Sequence, residues 1–269
     1  MSQPPKTFFW VGSSKENQYW SDPDNWKGAE VPNQQDAIAV FSKSLDKDTT
    51  IYLQEDVHLG KMWVSEKHTI TFDSEESGEE APNFYLETSN QFSPIFIDIE
   101  NAGDVVMQRH IFHSCYFGQT DRRLGLGRPL PDGVRVTTVK LNGKVSNYKD
   151  PERASLQVFG HLNFELNAQN DFKGPVVAKD NGKILAMVNG AIPDGSPLAL
   201  ANGGELYVNK GVTVRVSELL VDGEKIPAGL YVSESISTDN LADLEKSARK
   251  GHALTKLGGL SGTGLLQVN

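Results

Sequence analysis

Three glycines in the second half of the chain, Gly160, Gly182 and Gly204, stand 22 residues apart, and each opens a short run with apolar side chains at alternate positions. Gly160 leads into Leu162, Phe164 and Leu166, Gly182 into Ile184, Ala186 and Val188, and Gly204 into Leu206 and Val208. Such alternation is the period of a β-strand with one face turned inward. A repeat of this length matches one coil of a parallel β-helix, in which each strand bonds to its equivalent one coil away and the inward side chains stack into one core. The pattern predicts an all-β chain wound as a right-handed, single-stranded parallel β-helix, a solenoid with capped ends. An antiparallel sandwich with coincidental spacing is the competing architecture. Asn167 and Asn189 close the first two runs at equivalent places, which predicts a stack of side-chain amides at one corner.

The first half carries no clear repeat at the same offset. Its alternating segments predict strands at Thr7–Val11, Ala37–Phe41, Thr50–Leu53, Lys61–Val64, Thr69–Phe72, Asn83–Glu87, Ile95–Ile99 and Val105–Phe112. Residues 73–82, rich in glutamate beside Ser and Gly, read as a solvated acidic loop. A provisional boundary follows: residues 1–150 as an N-terminal cap with the first coils, and residues 151–269 as the repeating coils and C-terminal cap, all in one continuous domain. One short helix is expected at Asp239–Lys250, with Asp239 as its cap, Leu241, Leu244 and Ala248 on one face, and Gly251 as its stop.

Composition narrows the partners. With 26 basic and 35 acidic side chains the chain has a formal net charge of -9, so a phosphate backbone meets repulsion and nucleic acid is not an expected partner. Arg109, Arg122, Arg123 and Arg128 still cluster in sequence, enough for a local basic groove. The single cysteine, Cys115, allows no internal disulfide. No run has the ~18 apolar residues of a membrane span, and the first residues lack the apolar stretch of a secretion signal. Membrane insertion is therefore not expected, and a cytoplasmic location and a removed signal both stay open.

Three stretches, WSDPDNWKGAEVPNQQDAIAVF at 20–41, DGEKIPAGLY at 222–231 and LSGTGLLQVN at 260–269, together resemble the bacterial proteins with autotransporter-associated β-strand repeats. Modules of that family open on a pair of tryptophans followed by Pro and Asp, and close on a Pro-Ala-Gly-x-Tyr turn and a glycine-rich last strand. The resemblance implies a β-helix at the cell surface or secreted, acting in adhesion or as a stalk, sometimes beside carbohydrate-active domains. Read physically, Trp20 and Trp26 beside Pro23 and Pro32 form an aromatic plug for the first coil. Gly262 and Gly264 allow the final strand to approach its neighbour closely.

Candidate site residues fall into three groups. Trp63, Tyr85, Tyr116 and Tyr148 are expected sugar-stacking platforms for a polysaccharide if they face outward, and otherwise core. Arg109, His113, Arg123 and Tyr148 carry the enzymatic alternative, a polysaccharide lyase or hydrolase in which a cation neutralises a uronate carboxylate and a base takes the neighbouring proton. His110 and His113 fall on opposite faces of a regular strand, which argues against a shared metal. Asp22, Asp24 and Asn25 offer oxygens suited to calcium, or else cap the turn between the tryptophans. No metal or cofactor is otherwise expected. The leading expectation is a non-catalytic β-helix module that binds glycans or a protein surface; a self-assembling subunit that stacks as a homo-oligomer is the third reading.

Overall fold

The structure, a computed structural model, describes residues 5–13, 18–78, 80–89, 92–97, 103–113, 116–120, 136–149, 155–247 and 253–269, with backbone alone for 92–97 and 116–120. The chain is a parallel β-solenoid of about seven turns with one helix near its C-terminal end. Three sheets form its walls. The long wall runs through Thr7–Phe9, Ile38–Ser42, Lys61–Ser65, Phe92–Ile97, Tyr116–Thr120, Ser155–Phe159, Val176–Lys179, Ser196–Ala201 and Thr213–Val221 before the closing strands. The second wall stacks Thr49–Leu53, Ile70–Ser74, Val105–Met107, Thr137–Leu141, Leu162–Leu166, Lys183–Ala186, Glu205–Val208 and Leu260–Gly262. The third is short, with Val57–Leu59, Phe84–Leu86, Ile111–His113 and Val145–Asn147. Long and second walls both pair strands across residue 150, through Tyr116↔Ser155 and Thr137↔Leu162.

The register explains why the repeat showed in one half alone. Between paired residues of the long wall the chain uses 20 residues from Leu156 to Val176 but 39 from Tyr116 to Ser155. Even the second half departs from a strict 22. Ile184 pairs with Leu206, as the repeat predicts, but Phe164 pairs with Ile184, an offset of 20. A two-residue slip keeps every side chain on its own face, so the alternation survives the miscount. The amide stack is displaced with it. Asn167 donates to Asn142 Oδ1 at 2.8 Å, and Asn142 donates to Gln108 Oε1 at 2.9 Å, so the ladder runs back toward the first half and leaves Asn189 to accept from the Thr213 amide at 2.8 Å.

The segment expected as one strand at 105–112 is two. Val105–Met107 belongs to the second wall and Ile111–His113 to the third, with a corner at Gln108–His110 between them. The helix is Thr238–Ser247. Ser237, not Asp239, supplies its first bonds, its carbonyl to the Leu241 amide at 2.9 Å and its hydroxyl to the Asn240 amide at 3.4 Å. Asp239 lies in the first turn, where a negative charge favours the helix dipole; residues 248–250 lie outside the described residues.

Inward rows of Val, Ile, Leu and Phe fill the solenoid. The first coil is sealed by Trp10, Trp20 and Trp26, each at most 2% exposed. Trp20 lies 5.0 Å from Trp26 and 5.7 Å from Phe84, both edge to face. Indole N–H groups satisfy the plug's carbonyls: Trp20 donates to Pro32 at 2.9 Å and Trp26 to Trp20 at 2.8 Å. At the other end Leu265–Val268 slots between Thr213–Val221 and Gly229–Ser233, parallel to the first and antiparallel to the second. Gly262 permits this closure, since a Cβ there would lie 2.2 Å from the Val208 carbonyl oxygen.

Candidate functional site

Each strand of the short third wall is a triplet with its central residue pointing outward: His58, Tyr85, Phe112 and Ser146 are in register one coil apart. The aromatic members stack. His58 and Tyr85 have ring centres 4.8 Å apart and Tyr85 and Phe112 5.0 Å, both with planes 13° from parallel. Tyr148 packs edgewise on Tyr85 at 4.9 Å. Ser146 follows Phe112 in the row and is too small to continue the stack.

A hollow of about 680 Å³ opens at that step, lined by Asn83, His110, Phe112, Lys144, Ser146, Asn147, Lys149, Asp171 and Lys173. Asn83, His110 and Lys144, each one residue before a triplet, form its second edge, and at this corner two side chains accept backbone amides. Asp56 Oδ1 takes the Asn83 amide at 2.9 Å, and His110 Nδ1 takes the Lys144 amide at 2.8 Å. Acceptance at Nδ1 places the proton of a neutral His110 ring on Nε2. Burial, then the charges of Arg109 and Lys144, hold its pKa below the ordinary histidine value.

Charge around the hollow is mostly paired. Glu87, nearly buried, accepts from Lys149 at 2.9 Å and faces His58 Nδ1 at 3.1 Å. That bond to Glu87 raises the Lys149 pKa. Lys149 also lies 4.6 Å over the Tyr148 ring. Lys144 pairs with Asp171; burial, the largest single influence, would raise the Asp171 pKa, and the bonds from Lys144 and Ser146 with the Lys144 charge together bring a net lowering. Burial raises the Tyr85 hydroxyl, helped by nearby Asp56. A second hollow of about 670 Å³ continues from this one along the same side, sharing Asp171 and Lys173 and reaching Asp194 and Arg215.

Of the sequence-derived platforms, Tyr85 and Tyr148 come together here. Trp63 sits elsewhere, on the outer face of the long wall in register with Val40 and Phe96. Tyr116 lies in the long wall by its backbone, and its side chain is outside the described residues. The enzymatic set does not converge among the described residues. His113 is 0% exposed and turned inward against Phe172. Arg109 serves the preceding coil, donating to the Pro82 carbonyl at 2.9 Å and to Ala81 at 3.3 Å. Arg123 is outside the described residues. At the other end, Asp22 Oδ1 accepts the Asp24 amide at 2.9 Å and caps the short turn Pro23–Asn25, while Asn25 is buried and donates to the Tyr19 carbonyl at 3.2 Å. These oxygens serve the turn, and among the described residues no group of three or more His, Cys, Asp or Glu gathers as a metal site would require.

Sequence reasoning passed over His58, Phe112, Asn83, Asn147 and Lys173. The signal was present as four triplets, Val57-His-Leu59, Phe84-Tyr-Leu86, Ile111-Phe-His113 and Val145-Ser-Asn147, the first three 27 residues apart and the last 34 further on, spacings that the 22-residue offset of the second half does not detect.

Fold and hollow together define a class: a parallel β-solenoid with an aromatic row and an open polar recess on its shortest wall. Comparison with protein-family models, curated proteins and solved structures found no match to the chain.

Proposed function

We propose that the protein is a non-catalytic glycan-binding module that meets a polysaccharide along its third wall. The observation that carries this reading is the stacked row His58–Tyr85–Phe112, which stops at Ser146 and leaves the Phe112 ring bordering a recess lined by amides and lysines. Aromatic rows outside a solenoid have no core to fill, and a ring face beside hydrogen-bonding groups suits the apolar face and hydroxyl rim of a sugar. The resemblance of residues 20–41, 222–231 and 260–269 to surface β-helix modules supports a cell-surface or secreted setting.

Native electrophoresis through gels containing neutral or acidic polysaccharides tests the proposal. Retardation by at least one polysaccharide, lost in Phe112→Ala with the thermal midpoint of the variant recorded beside it, is the expected result. Equal mobility in every gel, or retardation unchanged by Phe112→Ala, overturns it. Release of unsaturated uronate products from the same polysaccharides, seen as ultraviolet absorbance, would replace binding with lyase chemistry.

A further inference from the structure

The recess contains polar groups that the protein itself leaves unanswered. Asn83 is 8% exposed, its amide nitrogen donates to the Ala81 carbonyl at 3.0 Å, and its Oδ1 has no partner among the described residues. Asn147 is the converse: its Oδ1 accepts the Lys173 amide at 2.6 Å, and its Nδ2 is buried with no partner among the described residues. Both amide orientations are fixed by those backbone bonds, so an acceptor and a donor are left over in one recess. A buried polar atom without a bond is costly, a cost that an entering hydroxyl, both donor and acceptor, removes.

The recess also has one cation to spare. Lys144 is held by Asp171 and Lys149 by Glu87. Lys173 lines the same hollow, and its ammonium has no carboxylate partner among the described residues. Phe112 supplies an apolar ring, stacked on Tyr85 on one side and followed in the row by the short Ser146 on the other.

We infer that this recess is a subsite for a carboxylated pyranose, its ring against Phe112, its hydroxyls answering Asn83 Oδ1 and Asn147 Nδ2, and its carboxylate meeting the Lys173 ammonium. The inference rests on the glycan-binding reading and narrows it to acidic sugars. A neutral glycan leaves Lys173 unused, while a bare carboxylate leaves the ring and the amides unused.

The probes are tri-galacturonate and its neutral counterpart tri-galactose, titrated calorimetrically into the full chain. Tri-galacturonate should bind at least about ten-fold more tightly, the scale of one charge-assisted hydrogen bond. Lys173→Gln, an exposed substitution whose thermal midpoint is recorded beside the titration, should abolish that preference. Added salt should shrink the preference in the parent chain alone. Phe112→Leu should weaken both probes. Equal affinity for the two sugars, or a preference that survives Lys173→Gln, overturns the acidic subsite while glycan binding stands. Absence of binding by either probe, in a chain that also passes every polysaccharide gel unretarded, overturns both.

Discussion

Gly204 closes a tight turn through its amide bond to the Ala201 carbonyl at 2.9 Å without itself needing left-handed backbone, yet no other residue fits its place: a Cβ would lie 2.0 Å from the Ala178 carbonyl oxygen of the preceding coil. Gly182 occupies the same row and meets the Val158 carbonyl at 2.4 Å. Gly160, which looks equivalent in sequence, differs in kind, since it adopts φ 83° in a turn and the row position that Gly182 continues belongs to Leu162. The requirement at Gly204 is therefore close approach between coils. Gly204→Ala should lower stability by about 1–3 kcal/mol, the cost of forcing atoms into a packed site. Gly258→Ala, whose Cβ would meet nothing nearer than 3.9 Å, should change stability by less than ~0.5 kcal/mol. Denaturant midpoints of the two variants measure the contrast, and equal losses would refute it.

At the scale of one wall, the third sheet depends on side chains standing in for backbone acceptors at its corner. His110 is the imidazole of that set, and its Nδ1 must stay unprotonated to accept the Lys144 amide. Burial, together with the neighbouring charges of Arg109 and Lys144, lowers its pKa in the fold. A histidine whose folded pKa is depressed binds fewer protons folded than unfolded, so its contribution is present above the unfolded pKa of about 6.5 and is lost as pH falls below it. His110→Asn keeps an acceptor oxygen that does not titrate. It should flatten the part of the stability loss between neutral pH and about pH 5 that belongs to this ring; an unchanged pH profile would show that the ring plays no such part. The wall as a whole was hard to read in advance. Its strands have three residues each, too short for periodicity, and their spacing of 27 residues, lengthened before the last strand, differs from the 22 of the second half. By contrast, Leu162–Leu166, Lys183–Ala186 and Glu205–Val208 were legible because their alternation is regular and their spacing nearly constant. Trp20 and Trp26 were legible as a plug because large rings beside prolines at a chain segment's start have few other uses; Trp10, its third member, carried no such context.

For the whole molecule, coils that touch chiefly their neighbours make stability nearly a sum along one axis. Ile184 pairs with Leu206 and Val176 with Leu198, both 22 residues apart, so one coil can be excised without disturbing either wall's register. Deleting residues 183–204 should leave a folded, shorter solenoid with a proportionately smaller denaturant slope. Deleting Glu165 alone removes one residue inside a second-wall strand instead of at a corner, turns the rest of that strand's core row outward, and should not fold cooperatively. Circular dichroism with urea titration distinguishes the pair, and comparable folding of both would contradict the register. The third wall ends its ladder at Val145–Asn147, and beyond it the same side is built of irregular segments at 167–175 and 187–195. A beam that loses one continuous flange partway along bends first where the flange stops. The recess lies across that joint, with Asn83 and Phe112 on the braced part and Asp171 and Lys173 on the unbraced part. A ligand seated there would act as a splice, so that occupancy should be felt as stiffness along the molecule's length, readable as slower amide exchange in 167–175.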